Sequence, residues 1–163
     1  MNTNSRALLA AILWGGIVAG TIDIGAACLI SGRSIPYILH AIAGGLLAKE
    51  SFAGGTGTAV LGLLLQELMG IIIAALYVLA STRLPMLTRR WVACGLAYGV
   101  VVFFVMNYVV VPLSAWHHTP TFSTDWFVKN MAAMLLFGLI VAFFAARRDG
   151  AARGTARAAS PAT

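Results

Sequence analysis

Residues 56–80 read TGTAVLGLLLQELMGIIIAALYVLA, and this stretch decides the fold. A helix crosses the ~30 Å hydrocarbon core of a bilayer with about 20 consecutive apolar residues, each rising ~1.5 Å. The stretch exceeds that length and carries one Asp, Glu, Lys or Arg residue, Glu67. It predicts a transmembrane helix. Three more stretches pass the same test, at residues 7–30, 91–111 and 127–146. A fifth apolar run, 35–48, is too short to span. It reads as a re-entrant or interfacial helix on the outer side, with Ser34 placed to cap it and Pro36 in its first turn. The fold class expected is all-α, a polytopic membrane protein with a four-transmembrane-helix bundle and one short interfacial or re-entrant helix.

Composition agrees with that reading. The chain has 163 residues, 60% hydrophobic and only 10% charged, where a water-soluble domain carries about 25% charged residues. The net charge of +6 does not point to nucleic acid, because the arginines cluster at the ends of apolar runs rather than on one amphipathic face. With both termini inside, Arg6, Arg83, Arg89, Arg90, Arg147, Arg148, Arg153 and Arg157 fall on the cytoplasmic side, and only Arg33, Lys49 and Lys129 fall outside. That asymmetry is what the positive-inside rule asks for. Trp91, Trp116 and Trp126 sit at span ends, as aromatic belts do. Residues 1–148 therefore form the transmembrane domain. Residues 149–163, rich in Ala, Gly, Arg, Ser and Thr, read as a disordered basic cytoplasmic tail.

The first apolar run is about twice as long as a signal-peptide core and holds Asp23, so it stays as a span. Cys28 and Cys94 have no CxxC partner and read as small buried apolar residues, not as a disulfide or zinc framework.

In lipid, small residues four apart let helix backbones approach closely. Gly16 with Gly20, and Gly95 with Gly99, have that spacing, and Gly62 and Gly70 flank the middle of the second span. These glycines are expected to build the core of the bundle itself. Asp23 lies on the face of Gly16 and Gly20. A carboxyl group in the bilayer core is costly and marks a candidate functional site. Asp23 and Glu67 are two, with Gln66 on the face beside Glu67, Asn107 in the outer half of the third span, His40 on the short helix, and Lys129 with Asn130 opening the fourth span. Together they suggest a polar pocket open to the outside and closed by the short helix, in which Glu67 is neutral or paired with Lys129 or a histidine. The plainer reading has Asp23 and Glu67 hydrogen-bonding neighbouring helices, Glu67 with Asn107, to hold the bundle together. His117 and His118 read as an incidental pair in an outer loop.

Several chemistries lack an anchor. No Gly-rich phosphate loop ends in Lys-Ser/Thr, and neither Gly-x-Ser-x-Gly nor His-Glu-x-x-His occurs. No catalytic, cofactor-binding or metal-binding set is identified. The expected surroundings are the lipid bilayer, with a homo-oligomer or a larger membrane complex as possible company and no nucleic acid.

The segments Ala19-Gly20-Thr21-Ile22-Asp23-Ile24, Gly54-Gly55 with Thr58-Ala59-Val60-Leu61-Gly62, Cys94-Gly95-Leu96-Ala97-Tyr98-Gly99-Val100 and Met106-Asn107-Tyr108 with Val111-Pro112-Leu113-Ser114 resemble a group of bacterial inner-membrane proteins distantly similar to the YagU-type (DUF1440) family. The resemblance spans roughly residues 16–148. It implies an inner-membrane location, a link to acid tolerance without a molecular mechanism, and motif status for Asp23 and Asn107. In that group the second span tends to carry a histidine where this chain has Gln66. The expected function is therefore that of an integral inner-membrane protein, serving envelope or acid-stress tolerance. The alternatives are a small proton- or ion-coupled transporter using Glu67 and Asp23, and an accessory subunit of a larger membrane complex.

Overall fold

The structure, a computed structural model, describes residues 3–116 and 123–158. Its elements are α1 (Thr3–Ser31), α2 (Ile35–Leu47), a 3-10 turn (Ala48–Phe52), α3 (Gly55–Arg83), α4 (Met86–Arg89), α5 (Trp91–Leu113) and α6 (Thr124–Ala158). No strand occurs among the described residues. α1, α3, α5 and α6 are each long and apolar enough to cross a bilayer. A helix satisfies its own backbone polar groups where lipid offers no partner, which is why such apolar runs take this form.

The helix ends follow local chemistry. α1 stops where Gly32 turns to φ +65° and donates its N–H to Cys28 O at 2.9 Å, a left-handed cap that glycine adopts without a Cβ clash. α3 stops at Leu84, whose successor Pro85 disfavours helical backbone before it. Ser34 occupies the N-cap position of α2 with extended backbone, but its side chain makes no capping bond. Its carbonyl instead accepts from Ile38 N at 3.1 Å.

The four long helices run up, down, up and down. Their order in space is α3–α1–α6–α5, because α6 packs on both α1 and α5 while α1 packs on α3. Two glycine seams set the close contacts. A methyl group at Gly16 would stand 2.6 Å from Ile71 Cα, and one at Gly70 would stand 2.7 Å from Gly16 O. In the second seam a methyl at Gly95 would reach Ala142 Cβ at 2.8 Å and Gly138 O at 3.0 Å. Only glycine permits this approach, and dispersion between the touching backbones holds such seams in lipid. The glycines thus serve the chain's own core, as their spacing suggested. That core centres on Ala74, Val78, Val141, Ala142 and Ala145, all fully buried.

Two features differ from the sequence expectation. α6 continues as helix to Ala158, past the point at 146 where the apolar run ends. Alanine and arginine are strong helix formers, so a composition poor in core-forming residues still propagates a helix already nucleated in the span. Within α5, Met106–Val110 widens into a π turn. Pro112, six residues after Met106, has no N–H to offer its predecessor four back, and Val111 N reaches across five residues to Met106 O.

Candidate functional site

The α1–α3 seam carries the polar groups. Because the helices are antiparallel and close at Gly16–Gly70, residues 20–23 of α1 come to lie opposite residues 66 and 67 of α3. Gln66 Nε2 donates to Asp23 Oδ2 at 2.9 Å. Thr21 Oγ1 donates to Glu67 Oε1 at 3.1 Å. The two bonds form consecutive rungs between the helices. The Glu67 carboxyl also lies against Gly20, whose missing side chain makes room for it: a methyl there would stand 3.3 Å from Glu67 Oε2. Glu67 Oε2 itself is buried and has no hydrogen-bond partner.

Both partners of the carboxyls are neutral. No described cation pairs with Asp23 or Glu67; the ion pairs among the described residues are Lys129–Asp125 and Arg148–Asp149. The arrangement therefore holds two carboxyl groups in an apolar seam with donors for one oxygen of each. Such a group is stable when it carries a proton or when a cation sits beside it. The vacant lone pairs of Glu67 Oε2 are the point at which either would act.

The other candidates go elsewhere. Lys129 Nζ binds Asp125 Oδ2 at 2.8 Å, one helical turn away, with side chains 51% and 76% exposed. The expected pairing of Lys129 with Glu67 is thus replaced by a local ion pair on α6, the geometry favoured for residues four apart. Asn107 is buried, but its Nδ2 donates to Phe103 O at 2.8 Å within α5. It serves the widened turn and not Glu67. His40 Nδ1 lies 2.8 Å from Thr58 Oγ1 at the start of α3. Nine residues separate Thr58 from Glu67, or about 14 Å along the helix axis, so His40 stands apart from the carboxyl rungs. His117 and His118 lie outside the described residues.

α2 lies along α3, with the Leu39 carbonyl against Gly62, one turn from Gln66. It is tied at its other side by the segment after α5. Trp116 Nε1 donates to Ala41 O at 3.0 Å, Ala115 N donates to Gly45 O at 2.8 Å, and the indole packs on Gly44. Trp116 thus works as a clasp on α2. Tyr37, His40 and Trp116 all gather around Phe52. Two concavities of the structure are lined by none of the six candidate residues.

Thr21, Thr58 and Ser51 complete these networks; Thr21 and Thr58 fall in the segments that carry the resemblance, but none of the three is among the candidate site residues. Thr58 binds both His40 and the Ser51 carbonyl, the latter at 2.7 Å. Hydroxyls satisfy themselves within their own helix in most spans, so their presence alone carries little signal. The one usable cue for Thr21 was its place one step from the Gly20 face. Among the described residues, no group of three or more His, Cys, Asp or Glu side chains is placed to hold a metal ion.

No family model, curated protein or solved structure matches the chain.

Proposed function

We propose that the chain is an integral protein of the bacterial inner membrane, with both termini in the cytoplasm, that takes up and releases protons at the Glu67–Asp23 rungs. Envelope or acid-stress tolerance is the service this suits, in keeping with the resemblance to the YagU-type family.

One observation carries the reading: Glu67 Oε2 is buried in the seam without a partner. Ionised, the carboxylate has no counter-charge. Protonated, its hydroxyl has no acceptor. No fixed cation and no fixed acceptor holds the group in one form, and that open position is what a site that binds and releases a proton needs. Asp23, one rung away and bonded to a neutral amide, extends the path toward the α2 end.

Purified protein in liposomes tests this. With an imposed pH gradient and an internal pH dye, the wild type should collapse the gradient faster than empty vesicles. Glu67→Gln keeps the side-chain shape and the Thr21 bond but cannot ionise, and should return the rate to background. A rate untouched by Glu67→Gln removes the proposal.

A second reading, an accessory subunit, has one observation in its favour. Thr21 and Ile22 face outward from α1, so the rungs have one edge that a partner helix could cover. Recovery of one dominant partner after mild solubilisation would support it, and a clean homo-oligomer would count against it.

A further inference from the structure

α3 and α5 are sequential spans that do not pack together. They face each other across a groove of about 540 Å³ and meet chiefly at Tyr77 and Tyr98, whose rings lie 4.9 Å apart. Both tyrosine hydroxyls are already committed to backbone carbonyls: Tyr77 to Leu87 O at 3.0 Å and Tyr98 to Ile73 O at 2.8 Å. The walls between are aliphatic, with Ile72, Leu76, Val101 and Val105 among them. Nothing in the groove asks for a polar ligand.

One end of the groove is different. Met69 and Leu76 line it, and the next residue at that seven-residue interval on α3 is Arg83. On the other wall the lowest residue is Cys94, and one turn before it stands Arg90 at the start of α5. Both arginines are exposed, and neither has an ion-pair partner among the described residues. Beyond that end of the trough the chain thus carries one exposed arginine on each wall's helix or its cap.

We infer that this groove holds an acyl chain of an anionic phospholipid, whose headgroup phosphate sits between Arg83 and Arg90. Three physical arguments favour a lipid over a helix of a second copy. The α3 wall from Met69 to Ala80 is about 17 Å long and the α5 wall from Cys94 to Val110 about 24 Å, both short of the ~30 Å hydrocarbon core. A spanning helix would want the full thickness. Helix seams in lipid also need small residues for close approach, and this groove is walled mainly by branched and long side chains, the glycine faces being used within the chain. Finally, guanidinium groups at the mouth match a phosphate and would repel their own copies. The inference rests on the chain being membrane-spanning, not on proton exchange.

Native mass spectrometry of the full chain in mild detergent tests it, with phosphatidylglycerol or phosphatidylcholine of matched acyl chains added in series. The wild type should keep one phosphatidylglycerol per chain, in preference to phosphatidylcholine by about fivefold for each arginine. The double variant Arg83→Gln/Arg90→Gln should lose that preference while unfolding at the wild-type temperature. Leu76→Trp, which fills the groove, should lose both lipids. Equal retention of the two lipids by the wild type overturns the proposal, as does undiminished binding to Leu76→Trp. A dimer that Leu76→Trp converts to monomer, with no lipid retained, assigns the groove to a second copy and overturns it too. The arginine variants lie at exposed positions and decide the matter even if Leu76→Trp fails to fold.

Discussion

Glu67 and Gly70 sit three residues apart on α3 and show how differently single residues act in one seam. Gly70 is constrained by what lies opposite, since a side chain there would enter the Gly16 carbonyl. Gly70→Val should therefore force α1 and α3 apart at a cost of about 1–3 kcal/mol, read as a lower unfolding temperature in detergent by circular dichroism. Gly25→Ala is the matched control. Nothing lies within 4 Å of a methyl at Gly25, and replacing a mid-helix glycine by alanine gains about 0.5–1 kcal/mol. Its unfolding temperature should hold or rise. Glu67 is constrained by chemistry instead. Glu67→Gln should leave stability nearly intact while removing proton exchange, and that separation distinguishes an exchanging group from one that only holds helices together. The carboxyls were legible in the sequence because charge in an apolar run is rare. Their partners were not. Thr21 and Gln66 become partners only through the register of the seam, which Gly16, Gly20 and Gly70 set in three dimensions. Lys129 was readable after all: Asp125 stands four positions before it, and the local pair was the stronger expectation than a counter-ion for a distant Glu67.

At the level of elements, α4 is held by a small polar lock. Thr88 Oγ1 donates to Asp149 Oδ2 at 2.7 Å, and Asp149 Oδ1 accepts from Arg148 at 3.2 Å (Nε) and 2.6 Å (Nη2). The Arg148 side chain is only 9% exposed. Asp149→Ala strips a buried guanidinium of its counter-charge and should cost on the order of 3 kcal/mol. Arg148→Leu/Asp149→Ala should cost less than Asp149→Ala alone, since the double variant buries no unpaired charge. Thermal unfolding of the two variants checks this, and the reverse order would show the lock to be inert. The sequence placed Arg148 and Asp149 at the border of a tail because apolar content falls there. Helix propensity and this lock, neither visible to a hydropathy count, carry α6 through the border. The π turn of α5 had a cue in the Asn107-to-Pro112 spacing, but the widening depends on where the freed carbonyls find donors, which spacing alone does not fix.

On the scale of the whole molecule, the four spans were readable from length and apolar content, because a bilayer imposes a single dimension on every helix that crosses it. Their order in space was not, since nothing in hydropathy distinguishes a closed bundle from the α3–α1–α6–α5 arc. Helix alternation brings Arg6, Arg83, Arg89, Arg90, Arg147 and Arg148 to one end of the arc and Arg33, Lys49 and Lys129 to the other. If the arginine-rich end faces the cytoplasm, alkaline phosphatase fused within residues 117–122 should be active and green fluorescent protein fused after residue 157 should fluoresce. The opposite pattern would invert the protein and move the carboxyl rungs toward the cytoplasmic leaflet.

The position of α6 also orders events during synthesis. α1 and α3 can lock along their glycine faces as soon as both have left the translocon. α5 has no such seam with them, since beyond the short α4 it meets α3 chiefly at Tyr77 and Tyr98. Its Gly95 and Gly99 notches wait in bare lipid until Gly138 is translated and inserted. A ribosome stalled ahead of that point therefore strands the third span without its main mate, the fourth.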